Sequence, residues 1–232
     1  MPAKKTLLVI LAATLLAVPA ASSTPGELGP DIKLYGGATS SWYSEPPDGL
    51  MIPEVSFAIR HLQRAVAGIG FDLSLNRLLS FDFGVQYIEK GTRAPLQELN
   101  GPLMEKHVYK LDQVSVPVGL KLRFLPDSTP YILAGGELAY VLSHKLTVYP
   151  DPMLPVMPYT VDIKGETRRI DLSAMAGAGI EVVYKRLGFF AEARYYLGLV
   201  NLNNGAVGYL DDYPTVKTSA FCLIAGIKAK RR

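Results

Sequence analysis

The sequence has only one cysteine, Cys222, and therefore cannot form an internal disulfide bond. It also lacks the run of roughly 20 apolar residues that a membrane-spanning helix needs, apart from a shorter apolar stretch near the N-terminus. These absences argue against a disulfide-linked secreted domain and against a helical membrane protein. If the fold is a β-sheet, its stability has to come from closure of the sheet.

An excess of charge of one sign is missing as well. The 24 basic and 21 acidic residues give a formal charge of +3, and loss of Lys4 and Lys5 with the leader described below would reduce it to +1. No basic patch is interleaved with aromatic residues, as nucleic-acid binding requires. We therefore expect no nucleic-acid partner.

The N-terminal residues predict a secretory signal peptide. Lys4 and Lys5 precede the apolar stretch 7–17, and small residues follow at Val18 and Ala20. We expect cleavage at about Ala20, so that residues 1–20 are the signal peptide and the chain is exported through the general secretory route. The mature chain then consists of a short N-terminal segment, 21–30, and one domain, 31–232.

Eight segments of about ten residues alternate apolar with polar or small side chains, and the breaks between them alternate between short and long. The short breaks lie near 76–77, 126–128 and 185–186, and the long ones near 44–62, 90–110, 144–168 and 200–216. This cadence is typical of barrels in the Gram-negative outer membrane, which have tight periplasmic turns and longer outer loops. We predict an all-β fold, an eight-stranded antiparallel up-and-down transmembrane β-barrel with both termini in the periplasm.

The two faces of each segment differ in residue type. Leu120 and Leu122, for example, alternate with Gly119 and Lys121. An apolar face suits lipid, whereas small and charged residues suit the crowded interior of an eight-stranded barrel, where opposite charges can pair. The predicted interior charges, with a structural role, are Asp72, Asp82, Lys121, Arg123, Glu137, Arg169, Asp171, Glu181, Glu192 and Arg194.

Several motifs resemble those of a known family. Residues 84–91 (GVQYIEKG) and 111–124 (LDQVSVPVGLKLRF) are similar to motifs of the PorT-type outer-membrane β-barrel proteins of the Bacteroidota. Further matches follow in order at 130–136, 177–181 and 194–199, so the resemblance covers the mature chain from about Asp31 onward. It implies insertion by the barrel-assembly machinery and a role accessory to protein secretion.

The candidate catalytic and metal-binding residues are few. His61, His107 and His144 lie in or beside different long breaks, without a close pair at ligand spacing. Ser143, His144 and Glu137 are the nearest match to the serine, histidine and acid of lipid A-modifying barrels. Neighbouring residues on a strand point to opposite faces, however, so Ser143 and His144 cannot readily hydrogen-bond side by side. We predict no enzyme activity, no metal site and no cofactor.

The third long break is the predicted partner-binding loop. Four prolines stiffen it, and its Met, Leu and Tyr side chains supply apolar surface. Binding residues concentrate on loops that a rigid scaffold holds. The candidate residues for contact with a protein partner are Pro150, Pro152, Met153, Leu154, Pro155, Met157 and Tyr159.

The sequence therefore favours a monomeric barrel that is porin-like in shape but has no conducting pore, since side chains fill an eight-stranded lumen. Its expected contacts are outer-membrane lipid, the barrel-assembly machinery during biogenesis and a protein partner at the outer loops. Two alternatives stay open. One is a lipid-modifying barrel enzyme, and the other is a soluble periplasmic barrel for a small apolar ligand, which would need an apolar interior.

Overall fold

The computed structural model describes residues 30–44, 55–57, 59–76, 78–98, 103–125, 129–150, 155–204 and 215–229. The predicted signal peptide, 1–20, and nearly all of the segment 21–30 lie outside these residues. The described elements are β1 (Asp31–Tyr43), β2 (Val55–Phe57), β3 (Arg60–Ser74), β4 (Leu79–Glu98), β5 (Leu103–Arg123), β6 (Thr129–Tyr149), β7 (Tyr159–Asp162), a 3-10 helix (Lys164–Glu166), β8 (Ile170–Tyr184), β9 (Leu187–Gly198) and β10 (Thr218–Ala229).

Eight of these strands close into an antiparallel barrel in the order β1, β3, β4, β5, β6, β8, β9, β10. The last strand pairs with the first, from Ile32 opposite Ala229 to Tyr43 opposite Thr218. Closure leaves these strands without a free edge. The two short strands add to the barrel at its outer end, β2 beside β4 and β7 beside β6. The predicted eight-stranded barrel is confirmed.

Alternation along each strand separates an exposed apolar face from a buried polar face. On β8, Ile180 is 57% exposed and Val182 is 58% exposed, whereas Glu181 between them is buried. The same pattern holds on β5, where Leu120 is half exposed beside buried Lys121. An apolar exterior band of this kind fits the hydrocarbon of a bilayer. Among the described residues, no helix is long and apolar enough to cross a membrane.

The predicted long loop 90–110 consists largely of strand, and the loop 144–168 does so in part. β4 extends to Glu98 and β5 begins at Leu103, so that only 99–102 separate them, and β6 extends to Tyr149. These strands have 20 or 21 residues, about twice the 9–11 that a tilted transmembrane strand needs. Their outer halves form a sheet that projects beyond the membrane. In this part apolar side chains do not repeat every second residue, so the alternation in the sequence did not predict strand there.

Two irregularities in register mark the base of the projecting sheet. Gln113 of β5 lies opposite Val141 of β6, but its neighbour Asp112 lies opposite Ser143. Leu142 is therefore the extra residue of a bulge on β6. On β3 the pairing with β4 shifts between His61 and Val66. A bulge locally re-aims side chains. Its effect on β6 is that Val141 and His144 are both buried beyond the lipid-facing band.

Candidate functional site

The barrel interior contains a charged cluster at the end where the short turns lie, centred on Asp72. Its Oδ2 accepts hydrogen bonds from Lys121 Nζ at 2.9 Å, Arg123 Nη2 at 3.0 Å and Lys228 Nζ at 3.4 Å. Asp72 lies on β3, whereas its partners lie on β5 and β10. One carboxylate therefore joins three strands across the lumen. Lys228 also contacts Glu181 and Asp31 at the end of the barrel.

A second group of charges lies next to this cluster. Asp82 accepts a hydrogen bond from Lys33 and lies 3.3 Å from Lys121 Nζ. Glu192 accepts one hydrogen bond from Arg194 Nε and another, at 2.7 Å, from the hydroxyl of Tyr131. Arg194 Nη2 lies 3.9 Å from Asp82 Oδ1, so Asp82 and Glu192 share this one cation.

A third group lies nearer the outer end, centred on Glu137. Its Oε1 accepts hydrogen bonds from Ser115 Oγ at 2.6 Å and Gln86 Nε2 at 2.9 Å, and its Oε2 accepts one from Lys90 Nζ at 2.8 Å. Lys90 also lies 3.8 Å from Asp171 Oδ2. All of these side chains are buried, so the interior is filled by paired polar groups over most of its height.

The structure places nine of the ten predicted interior charges inside the barrel, eight of them buried and Arg123 half-buried. Arg169 corrects the prediction. It is exposed and precedes β8, which begins at Ile170, and its carbonyl accepts a hydrogen bond from the Val141 amide. The inward-outward alternation of β8 starts only where this strand pairs with β6, so it does not extend back to Arg169.

Three interior lysines are missing from the sequence-based set. Lys33 lies on a strand with an irregular pattern, Lys90 lies at the start of a predicted loop, and Lys228 lies near the basic C-terminus. All three are fully buried. Together with Lys121, Arg123 and Arg194 they give six interior cations opposite the six predicted interior acids. An excess of acids over bases in the predicted set was the available signal that cations were missing.

His144 lies on β6 in the projecting sheet, outside the membrane-spanning part. It is buried and makes polar contacts with Tyr43 and Thr167. Thr167 Oγ1 donates its proton to the Ile163 carbonyl at 2.9 Å and therefore accepts from His144 Nδ1 at 2.6 Å. His144 Nε2 then accepts from the Tyr43 hydroxyl at 3.0 Å. Burial lowers the pKa of His144 to about 4, so the imidazole is neutral. This arrangement stabilises the outer mouth.

The three histidines are not brought together. His61 packs against Trp42 with tilted rings whose centroids are 4.5 Å apart, and His107 Nε2 lies 3.1 Å from Glu105 Oε2. Among the residues that the structure describes, no group of three side chains could hold a metal ion. The serine, histidine and acid do not assemble either, because His144 contacts Tyr43 and Thr167 while Glu137 contacts Lys90.

The predicted partner loop is described only in part. Pro152, Met153 and Leu154 lie outside the described residues. Met157 is 85% exposed, and Pro155 and Tyr159 are also exposed, whereas Pro150 is half-buried. Tyr159 begins β7, which pairs with β6, so the second half of this segment returns along the projecting sheet. Val156 and Val161 are further exposed apolar side chains at this end of the barrel.

A closed barrel with an apolar exterior and an ion-paired interior defines a β-barrel membrane protein. The model of the family "Outer membrane protein beta-barrel domain" matches residues 26–204, and the chain belongs to this family. A search of curated proteins finds no significant match.

Several solved structures are similar to this chain. NspA, the Neisserial surface protein A, is 15% identical, with 86% of this chain and 97% of that chain covered and a TM-score of 0.44. OprG from Pseudomonas aeruginosa is 11% identical, with 89% and 98% covered and a TM-score of 0.46. Ail, the attachment invasion locus protein of Yersinia pestis, is 15% identical, with 86% and 98% covered and a TM-score of 0.38.

Proposed function

We propose that this outer-membrane barrel is a non-conducting scaffold that holds its projecting sheet and outer loops for contact with a partner. The observation that supports this most strongly is the filled interior, in which six cations of the described residues pair with buried acids in the lumen. Charged side chains that are buried and paired across a lumen leave no continuous water path, unlike the open lumen of larger porin barrels.

Recording of ionic current across a planar lipid bilayer tests the absence of conduction. The purified, refolded protein should insert without stepwise current, while a porin added to the same membrane serves as the positive control. Steady current steps that scale with the amount of inserted protein would contradict the proposal. Heat-modifiable mobility on gels should accompany the measurement, because it shows that the inserted protein is the folded barrel.

The proposed partner-binding surface is the part of the projecting sheet around β7. Met157 and Tyr159 are exposed apolar residues; Tyr159 pairs with β6 as the first residue of β7, and Met157 lies two residues before it. Deletion of 150–158 should remove a cross-linked partner from the purified complex. Substitution of the short periplasmic turn, with Lys185→Gln and Arg186→Gln, is the control and should leave it in place. If the loop deletion retains every cross-linked protein, the loop does not bind the partner.

A role accessory to protein secretion, as in the PorT-type barrels that the motifs resemble, is a narrower form of this proposal. It predicts that a deletion strain retains secreted proteins in the periplasm. Normal secretion in the deletion strain would rule out the accessory role in secretion but not the scaffold role. Export through the general secretory route with removal of residues 1–20 is part of the same proposal, and the N-terminal sequence of the mature protein tests it.

We also propose that the protein is not an enzyme. Both ring nitrogens of His144 are engaged by Tyr43 and Thr167, and Glu137 is held by Lys90, so neither side chain serves Ser143. Mass spectrometry of lipid A from a deletion strain should match the parent strain. A mass difference of one acyl chain or one substituent that disappears when the intact gene is returned to the strain would favour the lipid-modifying alternative.

A further inference from the structure

The projecting sheet ends in β7, and one side of this strand has no neighbouring strand in the described part of the chain. Its residues Tyr159–Asp162 pair with residues 145–148 of β6 and with no other described strand. All of them are exposed. We call the unpaired side of β7 the free edge, because its backbone groups are available to an added strand.

The ladder between β6 and β7 determines which backbone groups face the free edge. The Ile163 amide donates to the His144 carbonyl at 3.0 Å, so these two residues form a hydrogen-bonded pair. Hydrogen-bonded and non-hydrogen-bonded pairs alternate along an antiparallel ladder. The N–H and C=O groups of Thr160 and Asp162 therefore point to the free edge, where no described residue gives them a backbone partner.

β7 lacks the features that usually protect an edge strand. Exposed edges in natural proteins are protected by proline, lysine or a bulge, or are covered by another element. β7 has the sequence YTVD, with neither proline nor lysine, and its pairing with β6 is regular. Its tyrosine, threonine and valine are also residue types that favour strands. An unprotected edge of this kind indicates a surface that accepts a strand from another chain.

One face of β7 specifies apolar side chains on the added strand. Tyr159 lies directly opposite Val148 of β6, and Val161 lies directly opposite Leu146. The two β6 residues are buried or half-buried, whereas Tyr159 and Val161 are exposed. This apolar face therefore continues across β6 and β7 to the free edge, and apolar side chains on the next strand would extend it.

The other face of β7 carries an acid at the free edge. Asp162 lies opposite Lys145 of β6 without an ion pair to it. Its Oδ1 accepts a hydrogen bond from the backbone amide of Lys164 at 2.9 Å, which holds the carboxylate in place. A basic side chain opposite Asp162 on an added strand would pair with this carboxylate.

We propose that β7 binds its partner by strand addition, in which an extended segment of another protein, alternating apolar with basic side chains, pairs with the free edge. A second copy of this chain is a poorer occupant. A four-residue strand is about 13 Å long, and its pairing with an identical strand buries far less than the roughly 1,000 Å² of a stable interface. A separate partner can add contacts to the exposed Met157 nearby. The inference rests on the partner-binding role proposed above and names how the partner is recognised.

The test uses the full mature protein in zwitterionic detergent and a short dye-labelled peptide that alternates valine with lysine, and fluorescence anisotropy measures binding. Thr160→Pro removes a donor at the free edge without removing a hydrogen bond to β6. It should weaken binding at least about fivefold, as expected for one net hydrogen bond. Thr160→Val is the matched control, because it keeps the backbone N–H, and it should bind like the wild type.

Two modified peptides test the same contacts on the wild-type protein, so the test stands even if Thr160→Pro fails to fold. N-methylation of the backbone amides keeps the side chains but removes the donors, and should weaken binding about 25-fold, as expected for two net hydrogen bonds. Replacement of lysine by glutamate should weaken binding about two- to fivefold through repulsion by Asp162. Asp162→Asn should abolish this difference between the lysine and glutamate peptides.

Heat-modifiable mobility on gels checks that each variant is folded. The proposal is overturned if the wild type does not bind the valine–lysine peptide, if Thr160→Pro or the methylated peptide binds equally well, or if the glutamate peptide binds more tightly. A wild-type dimer in light scattering that dissociates in Thr160→Pro would assign the free edge to a second copy and also overturn it. Loss of the cross-linked partner on deletion of 150–158 but not in Thr160→Pro would overturn strand addition and leave the partner-binding role standing.

Discussion

Lys90 and Glu137 face each other across the barrel lumen, with Lys90 Nζ 2.8 Å from Glu137 Oε2. They lie on β4 and β6, which have β5 between them and are not joined by backbone hydrogen bonds. Both side chains are fully buried. The ion pair therefore links two strands that do not pair with each other in the sheet. Because both side chains are buried, removal of one partner leaves the other in the interior without its counter-charge.

Lys90→Met should destabilise the barrel by about 3–5 kcal/mol, because Glu137 would stay buried without its cation and with only neutral hydrogen-bond donors. Lys90→Met combined with Glu137→Gln should cost less than the sum of the two single changes. Urea unfolding in lipid vesicles, followed by circular dichroism, measures these free energies. Lys185→Met in the exposed turn is the control, and additive effects of Lys90 and Glu137 would show that the pair is not coupled.

The sequence predicted the interior position of Lys121 and Glu192 because both lie on strands with clean alternation. It missed Lys90, since the alternation ends close to that residue, and it placed Arg169 inside although β8 begins one residue later. The side-chain contacts across the lumen could not be predicted from the sequence. Contact between Asp72 and Lys121 depends on how β3 and β5 are staggered around the closed barrel, and that stagger is a property of the whole sheet.

Gly91→Ala should destabilise the base of the projecting sheet. Gly91 has a φ of 149°, a conformation that L side chains rarely adopt, and a Cβ there would lie 2.1 Å from the Tyr109 carbonyl oxygen. We expect a loss of at least about 2 kcal/mol in the free energy of unfolding, measured by urea titration. Gly165→Ala is the control, since nothing lies within 4 Å of a Cβ at that position. An equal, small effect of both substitutions would contradict this account.

His144 should make the stability of the outer mouth depend on pH. Its pKa is about 4 in the folded protein and near the ordinary 6.5 when unfolded, so the unfolded chain binds a proton first as the pH falls. Stability is therefore complete above pH 6.5 and decreases by about 3 kcal/mol on acidification to pH 4.

The measurement compares urea unfolding of the wild type and His144→Gln at neutral pH and near pH 4. The difference between the two proteins should shrink or reverse in acid, because the variant lacks the titrating group. His61→Gln, at an exposed position, should follow the wild type at both pH values. The account of His144 fails if the wild type and His144→Gln lose the same stability on acidification.

The central claim, a barrel with a filled interior, is tested most directly by labelling of Cys222. Its side chain points from β10 into the barrel interior and is 1% exposed, whereas the neighbouring Leu223 is on the outward, apolar face and is 57% exposed. A water-soluble maleimide should leave Cys222 unmodified in the folded protein and modify it fully after heat denaturation. The combined variant Cys222→Ser and Leu223→Cys should react readily in detergent with an apolar maleimide. Rapid labelling of Cys222 in the folded protein would show that water enters the lumen, and would contradict the filled interior.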